Sequence, residues 1–158
     1  MNHRRTVKKH TVVLEGKPEA IFPLLCPVRE YEWIEPWKCD LIYSETGFAE
    51  QDCIFQTDFP NDGPKDTWVL CRHEKPTLVE FVRVNGIRAI RYTIRLHQTN
   101  DGKTESEWSQ VITGLNDEGD RFVGNFSDDQ FKHRMEMLRN MLNHHLTTGQ
   151  MLKFSGGA

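Results

Sequence analysis

His144 and His145 stand side by side near the end of the chain, and imidazole is the side chain whose ordinary pKa best suits proton transfer near neutrality. Successive residues on a helix diverge by about 100°. That places His145 about 40° from the axis through Phe131 and Leu142, edging toward the apolar face, and His144 nearer the polar side. A general base would have to sit beside a ligand carbonyl, so His145 is the candidate base of the pair. The Tyr92 phenol is the other candidate for moving a proton, and a rim histidine is the plainer reading of His145. The same divergence keeps two neighbouring imidazoles from chelating one metal. His3, His10, His97 and His133 show no HxxxH or HExxH spacing. Cys26, Cys39, Cys53 and Cys71 follow at intervals of 13, 14 and 18 residues without a CxxC pair. Neither a metal nor another cofactor is expected. Each cysteine lies in an apolar run (PLLC, WKCDLIY, CIF, WVLC), the setting of a buried free thiol. His73, two residues beyond Cys71, shares its strand face and is the one imidazole placed to partner a thiol.

Residues that could hold a ligand without reacting with it are more numerous. Tyr43, Tyr92, Trp108 and Gln110 combine apolar bodies with polar handles, as a cavity that orients an apolar guest requires. Their positions follow from the elements. From Ser127 onward Phe131, Met135, Leu138, Leu142 and Leu146 recur at intervals of three and four, the spacing of one helix face. Ser127-Asp128-Asp129 supplies its cap and N-terminal charge. Before it come seven runs with period-two character, at 5–14, 37–46, 51–59, 66–74, 77–84, 87–99 and 103–113. Pro18, Pro23 and Pro27 restrict the segment after the first run to two short helices, near 18–25 and 27–34. Asp117-Glu118-Gly119-Asp120 reads as a turn.

Alternation along the last hairpin sets the faces. Arg91 and Arg95 pair outward with Glu105 and Glu107, which turns Ile90, Tyr92, Ile94, Trp108, Gln110 and Ile112 inward. A two-residue loop at Asn85-Gly86 would set Val84 opposite Ile87, hence Glu80 opposite Arg91 and Phe81 opposite Ile90. Phe81 then points in, and Arg83 and Arg88, also on the inner side, reach water past the hairpin tip. The expected ligand wall is therefore Tyr43, Phe81, Ile90, Tyr92, Ile94, Trp108 and Gln110 on the sheet, with Met135, Leu138 and Leu142 on the helix. Trp33, Trp37 and Tyr31 would pin the short helices to the sheet edge or gate the mouth.

With 158 residues and no linker-like stretch, a single domain over 1–158 is expected. A net charge of −3 provides no broad positive field for nucleic acid, and Arg4, Arg5, Lys8 and Lys9 read as a solvated strand face. No apolar run is long enough to span a membrane, and the first twenty residues lack the apolar core of a secretion signal. Those features predict a cytoplasmic protein. A homodimer is compatible with the pattern.

The order of strand, two short helices, six meandering strands and a long terminal helix is that of the helix-grip fold, an α+β architecture. Within it, the stretch from Pro18 to Ser44 (PEAIFPLLCPVREYEWIEPWKCDLIYS), followed by the CIF strand at 53–55, resembles a bacterial subgroup of the SRPBCC superfamily. That superfamily includes START lipid-transfer domains, birch-pollen-allergen proteins and polyketide cyclases. The resemblance implies a lipid-like or polyketide-like ligand held between sheet and terminal helix. It carries over no catalytic motif residue by residue. It also leaves open a cyclase- or dehydratase-like enzyme, and a docking role like that of relatives that assist a heat-shock chaperone.

Overall fold

The computed structural model describes residues 4–154, and His3 lies outside them. The strands are β1 (Arg5–Leu14), β2 (Asp40–Tyr43), β3 (Ile54–Thr57), β4 (Asp66–Glu74), β5 (Leu78–Val84), β6 (Arg88–Gln98) and β7 (Thr104–Gly114). Among the described residues they form one antiparallel sheet, ordered β1-β7-β6-β5-β4-β3-β2. Helix α1 (Pro18–Ile21) and two 3₁₀ turns, Phe22–Leu24 and Arg29–Glu32, fill the crossover from β1 to β2. Helices α2 (Asp117–Asn125) and α3 (Asp128–Thr148) follow β7.

Alternation along β7 is regular. Thr104, Ser106, Trp108, Gln110 and Ile112 are buried, while Glu105, Glu107 and Ser109 between them are not. Arg95 faces Glu107 and His97 faces Glu105 on the outer side, whereas Arg91 faces Val111 rather than a glutamate. The β5–β6 hairpin turns one residue later than the Asn-Gly pair suggests. Val84 pairs with Ala89, Phe81 with Tyr92 and Glu80 with Thr93. The Asn85 side chain is the cause: its Oδ1 accepts from both Ile87 N and Arg88 N at 2.9 Å, and Asn85 N donates to Arg88 O. The loop residues become Gly86 and Ile87. Because the slip is two in register, the pleat keeps its parity and Phe81 still points inward.

Strands β2 and β3 are shorter than their apolar runs. Trp37 leaves the ladder to donate its Nε1–H to Pro27 O at 2.8 Å. Beyond β2, the Glu50 carboxylate gathers Ser44 Oγ, Glu45 N, Thr46 N and Thr46 Oγ1 at 2.7–3.0 Å, and these donors hold its pKa down to about 2. That loop closes on a side chain instead of a neighbouring strand.

The acidic run expected as a turn opens α2 instead. Asn116 caps it, accepting from Gly119 N at 2.9 Å, with Asp117, Glu118 and Asp120 in the first turn, where negative charge complements the helix N-terminus. A Cβ at Gly119 would fall 1.7 Å from Ile87 O, so only glycine lets α2 lie against the β5–β6 hairpin. Helix α3 begins with a reciprocal capping box between Ser127 and Gln130 and ends at Gly149, with φ 73°. Its N-terminal turn approaches β1, where Lys8 is buried rather than solvated. The ammonium of Lys8 lies 2.6 Å from Asp128 Oδ1, and His10 pairs with Glu136 at 2.9 Å. Among the described residues, no helix is long and apolar enough to cross a membrane.

Candidate functional site: the cavity between the sheet and α3

A cavity of about 540 Å³ separates the inner face of β3–β7 from α2 and α3, within the range of small-molecule pockets. Trp68, Phe81, Tyr92 and Trp108 rise from the sheet, and Met135, Met137, Leu138 and Met141 descend from α3. Phe122 on α2 and Phe126, the residue that caps its C-terminus, close one side. The rings interlock: Phe55 stacks on Trp68 at 5.1 Å, and Phe81 meets Trp68 edge-on at 5.6 Å. Trp33 lies beneath them, fixed by Nε1–H donation to Leu24 O at 2.9 Å. Trp37 packs on Phe59 at 5.4 Å beside the exposed Pro36 and Pro60. Trp33 and Trp37 thus pin the crossover and wall the cavity together, whereas Tyr31 is exposed and bonds to Cys39 N and O.

Eight of the ten residues expected to face a ligand lie on this wall: Phe81, Ile90, Tyr92, Ile94, Trp108, Gln110, Met135 and Leu138. Tyr43 does not, since it ends the edge strand β2 with 59% of its surface exposed. Leu142 is fully buried but packs in the core beyond the cavity, whose helical wall stops at Met141. The same limit excludes His145, which faces Glu32 at 3.8 Å on the second 3₁₀ turn. Tyr92 alone of the two proton-transfer candidates reaches the cavity. Desolvation raises its pKa, so its phenol is a donor and not a base, and the Met135 thioether at 3.6 Å is a weak partner for it. Cys71 and His73 form no couple either: Cys71 Sγ donates to Glu80 O at 3.3 Å, while the His73 ring packs on Phe22 at 5.0 Å. Burial pushes the thiols of Cys39, Cys53 and Cys71 up. No three His, Cys, Asp or Glu side chains among the described residues converge as metal ligands would.

Sequence reasoning missed two polar features of this wall. Arg83 and Arg88 do not reach water. Asp66, itself buried, accepts from Arg88 Nη1 at 2.6 Å and Nη2 at 3.0 Å and also pairs with Arg83, which in turn pairs with Asp62. The Arg83 guanidinium lies over Trp68 at 4.2 Å, and Arg134 approaches Asp62 at 3.9 Å. Of this cluster Asp62, Arg83 and Arg134 border the cavity. Glu30, on the second 3₁₀ turn, is the other feature. It is half-buried and lines the cavity, and among the described residues its carboxyl has no hydrogen-bond partner. Desolvation pushes it up to about 8.

No protein-family model matches the chain, and no curated protein matches it in sequence. Solved structures do match in fold. Major latex-like protein 151 from Panax ginseng superposes with a TM-score of 0.65 at 13% identity, over 89% of this chain and 97% of that one. The Zhui aromatase/cyclase from a Streptomyces strain gives 0.67 at 9% identity, over 94% and 100%. A norcoclaurine synthase point mutant from Thalictrum, solved with a transition-state analogue, gives 0.63 at 12% identity, over 92% and 99%. The chain therefore shares the helix-grip fold of these structures, with a curved seven-stranded antiparallel sheet gripping a long C-terminal helix.

Proposed function

We propose that this protein binds a small hydrophobic molecule, lipid-like or polyketide-like, in the cavity between sheet and α3. The cavity itself carries the reading: about 540 Å³ walled by aromatic rings and by three methionines of one helix. A chain that needed only a core would gain by filling such a space, because each missing methylene forfeits packing contacts. Methionine is the apolar side chain that adapts most readily to guests of different shape. The aromatase/cyclase and the norcoclaurine synthase of the same fold are enzymes by name, but of the two groups first considered for proton transfer only Tyr92 borders the cavity. Binding is thus the function the geometry favours. Mass spectrometry of the freshly purified protein under native conditions, followed by solvent extraction, should reveal a co-purifying apolar molecule or, from emptied protein, saturable uptake of ethylnaphthalene. Protein that carries nothing and takes up no neutral apolar probe would refute the reading.

A further inference from the structure

The polar groups left unmatched on the cavity wall share one character. Trp108 Nε1–H is buried and has no acceptor. Beside it, the Tyr92 hydroxyl contacts the Met135 thioether at 3.6 Å and the Gln110 side chain. Glu30 projects its carboxyl from the second 3₁₀ turn with no side-chain partner among the described residues, although Arg29 and Glu32 on the same turn pair with each other at 2.7 Å. Indole and phenol offer donors, and a carboxyl in this apolar setting does so too in its neutral form. Buried donors without acceptors are costly, and a guest bearing an acceptor would relieve that cost.

The geometry points to Glu30 as a neutral carboxylic acid that donates a hydrogen bond to a carbonyl-type oxygen of the ligand, with the Tyr92 hydroxyl and Trp108 indole as accompanying donors on the same wall. The ligand class is then an uncharged apolar molecule carrying a ketone, quinone or ester oxygen, in preference to an amine or a pure hydrocarbon. This inference rests on the binding reading above and adds its chemistry. The surrounding charges permit it. Tyr92 of β6 and Cys39 of the loop before β2, the titratable neighbours whose pKa values Glu30 influences, are both held neutral by burial. Arg83 of β5 and Arg134 of α3 border the cavity but are engaged with Asp62, and Arg83 also with Asp66. His145 of α3 faces Glu32 instead. No free cation among these groups is paired with Glu30 to hold it ionised. Its carboxyl, pushed up to about 8 by desolvation, stays protonated at neutral pH.

Three probes of one shape test the assignment on the full chain: acetylnaphthalene (a ketone), ethylnaphthalene (the hydrocarbon) and naphthylethylammonium (a cation). Binding would be followed through the cavity tryptophans between about pH 6.5 and about pH 9.5, a range that spans the titration of Glu30. The ketone should bind more tightly than the hydrocarbon at the low end and lose about tenfold in affinity across the range, the worth of one hydrogen bond. Hydrocarbon affinity should stay flat. Glu30→Gln, which keeps a donor that does not titrate, should flatten the ketone profile. Glu30→Leu should lower the ketone-to-hydrocarbon ratio about tenfold at low pH. A ketone affinity in the wild-type protein that ignores pH overturns the inference, as does an ammonium probe that outcompetes the ketone as pH rises. Either result with the hydrocarbon still bound leaves the binding reading standing. If the hydrocarbon itself fails to bind, both fall.

Discussion

Glu30 and Asp66 are acids in apolar surroundings with opposite solutions to burial, one neutral and one paired. A glutamate ordinarily titrates near 4.5, whereas Glu30 titrates at about 8. Between those values the unfolded chain releases a proton that the folded chain keeps. The stability attached to Glu30 is therefore full below about 4.5, declines as pH rises to about 8, and levels off above it. Replacing the carboxyl removes the penalty. Glu30→Gln should match the wild-type protein at pH 4 and exceed it by roughly 3–5 kcal/mol at pH 9, at about 1.4 kcal/mol per pH unit. Denaturant melts at the two pH values check this, and an equal difference at both would show that Glu30 is ionised in the fold. Asp66 behaves otherwise, since it sits between the guanidinium groups of Arg83 and Arg88, the latter with 0% of its surface exposed. Asp66→Ala leaves both cations short of a partner and should cost ~3–5 kcal/mol by denaturant melting. A loss below about 1 kcal/mol would mean that water already screens the cluster. Neither acid was legible as functional in the sequence. Asp66 is 17 residues before Arg83 and 22 before Arg88, so no local pattern links them, and Glu30 lies among Arg29, Tyr31 and Glu32 in what reads as a polar turn.

At the scale of elements, strands and the long helix were legible because one physical pattern decides each. Trp108 had to point inward once Glu105 and Glu107 pointed out, and it does. Phe131, Met135 and Leu138 share the buried face that their spacing predicts. Even the misplaced turn at Asn85-Gly86 did no harm to the faces, since its slip preserves parity. What failed was shorter and depended on side chains. The Asn85 carbonyl moved a turn, the Glu50 carboxylate shortened a strand, and Asn116 made a helix from an acidic run that looked like a loop. Tyr43 was misread because a run of β-forming residues does not reveal that its strand lies at an exposed sheet edge. Helix α2 supplies the clearest test at this scale. Gly119→Ala places a methyl against Ile87 O, which backbone cannot vacate cheaply. The substitution should cost ~1–3 kcal/mol and shift α2, loosening Phe122 and Phe126 at the cavity wall. Unchanged stability with unchanged cavity binding would show that α2 docks less closely than described.

For the whole molecule, the apolar inner sheet face opposed by an apolar helix face announced an enclosed space, but whether that space was filled was not legible. Filling depends on how far α3 stands from the sheet, and that distance is set by the crossover turns and α2 as much as by the residues facing each other. The central claim is that a small apolar guest lies between the sheet and α3, and the methionines report on it separately. Of the five in the sequence, Met135, Met137 and Met141 border the cavity, while Met151 follows the end of α3 and is not part of the wall. Carbon-13 labelling of the methionine methyl groups gives one resonance for each. Titration with ethylnaphthalene should shift the resonances of Met135, Met137 and Met141 together, saturating at one probe per chain, and leave Met151 in place. Saturable shifts confined to Met151, or no shift at Met135, Met137 and Met141 while the probe binds, would contradict the account.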